Sequence, residues 1–492
     1  MNALIASRPR RVGWAVLAFL LATAVALVFS AFVAADTIPV LSNGDTMKRL
    51  LAMPALFAVA TLALLSACAQ TPAASAALLP APVAAAPSPF MAQVVGVQWL
   101  NPLQRRDYST EWQLLWTLGL AAPNQNDDMV RTDPKMFSTL QSIGGLAAGN
   151  DGTETFVGFH HKYVDQLIQP YHDKYFSSSR YFYNAHSVRD KRTRRELAGM
   201  HIEYALPALR LDPELAASHV RAAFEMTFMI GNPNFPTAWS SSAPPDVRVT
   251  TGGPNAGFTS LGAAIDYLQA HPDQTVWAMN WDSPSYPPKE DQLNENIVLL
   301  VLAGPHYKTE RAALAWIGRP VDNASATFAA QERIPAVAVA EAWRATLAGA
   351  AANAGKSVSE IGYVIHDANS SHPDSGERMR HLAHVLALDV PAFDYMKQAF
   401  NTPSILGDMG AGTALTNVAL GIAYANHFGK NVLVAGTTDP AHATAVLVTP
   451  PETVRPVMAD KPWFRARGEN NAYLMWWGIR HDETFRMQGY SN

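Results

Sequence analysis

Residues 404–448, SILGDMGAGTALTNVALGIAYANHFGKNVLVAGTTDPAHATAVLV, restrict the fold more than any other part of the chain. The stretch opens on a glycine-punctuated loop, Gly407-Asp408-Met409-Gly410-Ala411-Gly412, and runs into a helix of small residues. It ends in two short apolar runs, 432–435 and 443–448, with strand character. Glycine lets backbones approach closely, and a helix of Ala and Gly can bury itself flat against a sheet. The pattern predicts the closing unit of a two-fold repeated α/β core that the rest of the chain must complete.

The residues from 247 onward carry the same alternation. Runs 247–251, 275–281, 297–303 and 361–365 read as strands, and 258–270, 337–352 and 378–388 as helices. Strands alternating with helices predict a layered α/β fold with a mostly buried sheet. Upstream, 93–100 reads as a buried strand and 110–116 as a helix capped by Ser109 or Thr110. Asp212-Pro213-Glu214 starts a helix over 215–230. Residues 153–183 are rich in Tyr and His and read as half-buried aromatic packing, with a partner-facing surface as the alternative. The run RDKRTRRE at 189–196 reads as a solvated helix face. The Pro- and Ser-rich stretch 231–245 is the best internal boundary. The tail from 461, with Trp463, Trp476 and Trp477, is too short for a domain and is expected to pack back.

At 492 residues the chain exceeds what one compact core usually serves. A formal net charge of -4, with 16% charged residues, lacks the basic footprint of a nucleic-acid binder. The one cysteine, Cys68, leaves no intrachain disulfide, no all-cysteine metal site and no cysteine nucleophile in the globular part.

Cys68 belongs to an apolar N-terminal region with two incompatible readings. Residues 12–35 form a nearly unbroken apolar run behind Arg8, Arg10 and Arg11, long enough to span a bilayer with its N-terminus in the cytoplasm. A second run, 50–67, follows Met47-Lys48-Arg49 and ends Leu65-Ser66-Ala67-Cys68. Translated from Met1, two spans return the globular part to the cytoplasm. Translated from Met47, the second run is a lipoprotein-like signal, Cys68 is acylated, and the globular part faces the periplasm. Both readings place a membrane-anchoring or signal region at 1–68. An Ala/Pro-rich linker follows at 69–90, then an N-terminal domain at 91–235 and a C-terminal α/β domain at 246–492.

Familiar catalytic signatures are missing: no nucleophile elbow, H-E-x-x-H pair, P-loop or dinucleotide fingerprint occurs. His366, Asp367, His372 and Asp374 have the chemistry to hold zinc or manganese. Asn369-Ser370-Ser371 among them favour a simple turn-forming loop. No metal and no cofactor is expected.

Residues 361–371, IGYVIHDANSS, resemble the strand and loop that carry the first catalytic histidine of ketosynthases in the thiolase superfamily. The 404–448 stretch resembles their second-histidine loop, with its helix and closing strands. Residues 247–268 and 276–281 resemble the strand, nucleophile turn, buried helix and next strand, and 93–103 the first strand and turn. In a gapless overlay the first histidine position falls on Asp367 and the second on Asp408, while the lysine position falls on Pro403. The nucleophile turn, 251–258, holds no cysteine. A one-residue slip would restore His366 but supplies no thiolate, which decarboxylative condensation requires. The resemblance therefore implies a degenerate thiolase-like core, no catalytic residue, and a remnant pocket marked by Asp367 and Asp408.

A closer resemblance is to the type VI lipase adaptor family of Gram-negative bacteria, carried by VVGVQWLNPL at 94–103, WQLLW at 112–116 and the degenerate C-terminal half. It implies that 91–235 is an N-terminal adaptor domain and 246–492 a thiolase-like one. It also implies a non-catalytic protein that binds a lipase effector and delivers it to a VgrG-type spike. Such a loader meets its cargo in the cytoplasm, which fits the two-span reading of the N-terminus and not the lipoprotein reading. The alternatives are an acyl-chain-binding protein, or an acyl-transfer enzyme using Asp367, Asp408 and His366 as acid or base.

Overall fold

A computed structural model describes residues 89–100, 110–123, 125–126, 128–135, 156–176, 199–228, 230, 243–283, 294–308, 312–329, 334–368, 375–457 and 477–478. The expected anchoring region 1–68 with Cys68, the linker up to residue 88, the 189–196 charge run, His372 and Asp374 lie outside these residues. No helix among the described residues is long and apolar enough to cross a membrane.

The first half of the core comprises β1 (Ala92–Leu100), α1 (Thr110–Thr117), α2 (Phe156–Phe176), β2 (His201–Pro207), α3 (Pro213–Phe228), β3 (Asp246–Gly252), α4 (Ala256–Ala270), β4 (Thr275–Asp282) and β5 (Asn296–Ala303). The second comprises β6 (Ala315–Ile317), β7 (Val321–Ala324), α5 (Pro335–Asn353), β8 (Ile361–His366), α6 (Ser375–Asp389), α7 (Tyr395–Gln398), β9 (Ala399–Asn401), α8 (Pro403–Leu406), α9 (Thr413–Phe428), β10 (Asn431–Gly436) and β11 (His442–Thr449). The strands pair in the order β3-β2-β4-β5-β1-β6-β11-β10-β8-β9, with β7 beside β11.

That order contains one pattern twice. In the first half β2 lies parallel between β3 and β4, β4 is antiparallel to β5, and β5 to β1. In the second, β8 lies parallel between β9 and β10, β10 is antiparallel to β11, and β11 to β6 and β7. The two-fold repeat expected from the closing stretch is present.

Strand periodicity then builds the layers, because successive side chains point to opposite faces. In β5, Val298, Leu300 and Leu302 pack on the inner core with α4 and α9, while Ile297, Leu299 and Val301 pack with α2 and α3. In β10, Val432 and Val434 face the inner core, and Leu433 and Ala435 face α5 and α6. The two halves of the one continuous sheet thus face α4 and α9 on the inside, with α2 and α3 outside the first half and α5 and α6 outside the second.

Only small residues allow that middle layer. A Cβ on Gly257 of α4 would lie 2.9 Å from Cβ of Ala414 on α9, and one on Gly421 would lie 3.0 Å from Val434 Cγ2. Helix α9 ends at Gly429, whose φ of 63° is the left-handed cap that glycine adopts without a Cβ penalty.

Most elements fall where the sequence places them, and the differences have physical reasons. The stretch 231–245, expected to divide two domains, lies in the chain between β2 and β3, which pair in parallel, and residues 88–492 cluster as one compact unit. The Tyr/His-rich segment contains α2, whose Tyr163, Val164, Leu167 and Ile168 are buried at helical spacing. Strand β2 is unexpected because His201 and Glu203 break its apolar pattern; the imidazole sits 2.8 Å from Glu203 and 2.9 Å from Asp246. Strands β6, β7 and β9 span only three or four residues, too few to show a period. Of the tail, residues 477–478 are described: Trp477 is buried and exchanges two backbone hydrogen bonds with Val97.

Gly257→Val is expected to lower folding stability by about 1–3 kcal/mol through overpacking of α4 against α9. Equilibrium urea unfolding of the purified variant reads this as a lower midpoint; an unchanged midpoint would mean that the two helices are not in tight contact.

Candidate functional site

The loop 407–412, where the resemblance places the second histidine, is held by side chains from the first half. Gly407 has φ 71°, and a Cβ there would meet the Asn294 amide at 2.4 Å. The backbone N–H of Asn294 donates to Asp408 O at 2.6 Å, and its side chain donates to Leu406 O. Asn296 Nδ2 donates to Gly412 O at 2.7 Å and to Thr416 Oγ1 at 2.5 Å, while Trp99 Nε1 donates to Asn296 Oδ1 at 2.6 Å.

The amides of Gly410, Ala411 and Gly412 are used within the fold. Gly410 N–H donates to Asp408 Oδ1 (2.9 Å), Ala411 N–H to Asp282 Oδ2 (2.9 Å), and Gly412 N–H to Met409 O (2.9 Å). A glycine-rich loop binds anions through amides turned outward, and these three point at protein acceptors instead. Asp408 itself takes part in the loop's local turn.

Asp367, at the first histidine position, is likewise committed. Its carboxylate is buried and accepts from the backbone N–H of Thr437 at 2.5 Å and from Thr437 Oγ1 at 2.9 Å. Thr438 Oγ1 donates to its backbone carbonyl at 3.0 Å. Burial raises its pKa, and the hydrogen bonds from Thr437 oppose the rise. These contacts tie the end of β8 to the end of β10. His366 faces elsewhere: Nε2 lies 2.6 Å from Tyr395 Oη, and Nδ1 accepts from Ala368 N–H at 3.3 Å. Burial lowers its pKa to about 4, so it is neutral near pH 7.

At the nucleophile turn, Asn255 precedes α4 and donates from Nδ2 to Thr444 Oγ1 at 3.1 Å. Its Oδ1 packs so closely on Gly436 that a Cβ there would approach to 2.2 Å. The turn is thus wedged against the β10–β11 end of the second half.

Asp408 lies where the first half meets loop 407–412, Asp367 lies between the ends of β8 and β10 within the second half, and neither lines the cavity beside His366. No cluster of His, Cys, Asp and Glu suited to a metal occurs among the described residues. The sequence reading missed Asp282, Asn294 and Asn296, the groups that hold the loop. Their signal was a polar residue at each end of an apolar strand: Asp282 closes β4, and Asn294-Glu295-Asn296 opens β5.

Asp282 is a perturbed carboxylate beside this loop. Burial raises its pKa from 3.8 to about 6, opposed by Arg210, whose Nη1 donates to Oδ1 at 2.8 Å, and by the Ala411 and Ser283 amides. A carboxyl whose folded pKa is raised contributes stability that is full below its unfolded pKa and is lost as pH rises through its folded pKa. Between pH 4.5 and pH 7 that loss is about 2 kcal/mol. Asp282→Asn keeps a carbonyl oxygen for Ala411 but cannot titrate, so its stability should be flatter over this range by that amount. Paired urea titrations at the two pH values check this, and parallel profiles for the two proteins would refute it.

The layered arrangement is similar to several solved structures at low identity. An oxazolomycin ketosynthase domain from Streptomyces albus is 11% identical, with TM-score 0.44, over 77% of this chain and all of that one. The ishigamide ketosynthase/chain length factor is 14% identical, with TM-score 0.43, over 73% and 99%. An OleA variant from Xanthomonas campestris is 10% identical, with TM-score 0.40, over 73% and 98%. No curated protein matches the sequence. Residues 314–450 match the family described as type VI lipase adapter protein Tla3, C-terminal, so the resemblance to type VI lipase adapters holds over the second half of the core.

Proposed function

We propose that this protein is a non-catalytic adaptor that binds a lipase effector and delivers it to the VgrG-type spike of a type VI secretion system. The observation that carries this reading is the match of residues 314–450 to the Tla3 C-terminal family. The geometry of the seam supports it. Asp367 spends its carboxylate on Thr437, and the 410–412 amides are spent on Asp408, Asp282 and Met409. An oxyanion-stabilising site needs donors aimed at an open position where charge develops. These donors are aimed at the protein. The globular part contains no cysteine to serve as nucleophile.

The N-terminal apolar runs extend the proposal to the inner membrane, with the globular part in the cytoplasm, where cargo can be loaded before secretion. Lipidation of Cys68 belongs to the opposite arrangement.

Tagged full-length chain is expected to co-purify with the lipase encoded beside it and to retain it through a sizing column. Purification with no lipase retained would remove the adaptor reading, and acyl-transfer turnover abolished by Asp408→Ala would replace it with the enzymatic one. A reporter fused near residue 89 is expected to give a cytoplasmic readout; a periplasmic one would establish the Met47 start and a lipidated Cys68.

A further inference from the structure

Helix α2 meets α3 and the outer face of the sheet through three histidines. His160 is fully buried, its ring 5.7 Å from that of His161 and 5.8 Å from that of His219 on α3, and edge-on to Trp281 of β4 at 5.2 Å. His161 and His219 lie face to face, their ring centroids 3.6 Å apart and their planes 10° from parallel. His160 Nε2 is 3.0 Å from Tyr204 Oη of β2. His160 Nδ1 and His161 Nε2 are buried and have no hydrogen-bond partner among the described residues.

Such a cluster accommodates neutral rings and resists charged ones. A proton added to His160 would leave an N–H at Nδ1 without an acceptor, in a site closed to water. Charge on both stacked rings, 3.6 Å apart, would be repulsive. The carboxylates of the surrounding elements are engaged elsewhere. Asp282 of β4 is paired with Arg210, Glu295 of β5 accepts from Tyr163 Oη, and Glu203 of β2 meets His201. Asp165 of α2 is 56% exposed and lies 3.4 Å from His219 Nε2, while Arg221 of α3 donates to Pro245 O. From β1, the buried side chains on this face are Val95 and Leu100. Burial and the two neighbouring rings push the His160 pKa down from 6.5 to about 3, and burial, ahead of His219, lowers that of His161.

Released into water, each ring regains an ordinary imidazole pKa. A lowered folded pKa gives stability that is full above the unfolded value of 6.5 and is lost as pH falls toward the folded one. His160 alone therefore raises the opened fraction roughly 70-fold between pH 7 and pH 4.5. Helix α2 supplies no strand, so its departure leaves the ladder β2-β4-β5-β1 intact. We propose that the three histidines form an acid-sensitive latch: uncharged rings hold α2 on α3 and the sheet at neutral pH, and proton uptake releases α2 while the sheet stays folded. The latch does not depend on the adaptor reading.

Hydrogen–deuterium exchange of full-length protein, corrected for the intrinsic rate at each pH, compares the opening of residues 160–168 of α2 with that of α9. In the wild type the α2 opening constant is expected to rise at least ~50-fold from pH 7 to pH 4.5, and to exceed that of α9 at least ~10-fold at pH 4.5. His160→Gln keeps a polar partner for Tyr204 and cannot titrate, so the rise should shrink at least ~10-fold. His219→Gln, at a partly exposed position, removes a ring that opposes protonation of the other two; its rise should shrink at least ~2-fold, and it decides the question where His160→Gln does not fold. An α2 opening that does not rise in the wild type, or that matches α9 at pH 4.5, overturns the latch. So does a rise undiminished in His160→Gln or, where that variant does not fold, in His219→Gln.

Discussion

The two halves of this core are joined by polar side chains of one half that satisfy the backbone of the other. Asp282, Asn294 and Asn296 meet the backbone of loop 406–412, and within the second half Thr437 meets Asp367 between the ends of β8 and β10. An irregular loop buried between layers carries amides and carbonyls with no ladder to join. Each would cost free energy if left unpaired. Here the strands that border the loop supply the partners. The glycines serve the same end, because Gly407 and Gly412 leave the space into which the two asparagine amides fit.

This arrangement sets what the seam can do. Asp282 is driven up to about pH 6 by burial even with Arg210 and two amides against it, and Asp367 is raised by burial as well. Carboxylates with such shifts often mark active sites. In this fold their hydrogen-bonding capacity is directed at backbone amides and a threonine hydroxyl. The shifts thus accompany structural contacts.

Much of the fold was legible in the sequence. The runs 297–303 and 432–435 are continuous and apolar, and 275–281 and 443–448 nearly so, because their strands are covered on both faces, and α4 and α9 are small-residued because they pack on each other. What was not legible was local pattern overridden by tertiary contacts. His201 and Glu203 look misplaced for a buried strand until Asp246 and Tyr267 are brought beside the imidazole. The Tyr/His-rich helix α2 hides its apolar stripe, and β6, β7 and β9 acquire their pairing only from neighbours distant in the chain. The seam residues were half legible: Asp367 and Asp408 could be placed by overlay, whereas Asp282, Asn294 and Asn296 could not, since nothing local distinguishes a strand-end Asn from a turn residue.

The sequence by itself determined the alternation of strands and helices, the burial of the closing unit, and the lack of a cysteine anywhere a nucleophile could stand. Those follow from residue type and period, which are local. Only the tertiary structure decided that the glycine-rich loop at 407–412 is held by asparagine and aspartate side chains from positions more than a hundred residues earlier, and that His366 turns away from Asp367 toward Tyr395. Which donor meets which acceptor depends on the strand order that brings distant segments together. That order is set by packing of the whole core.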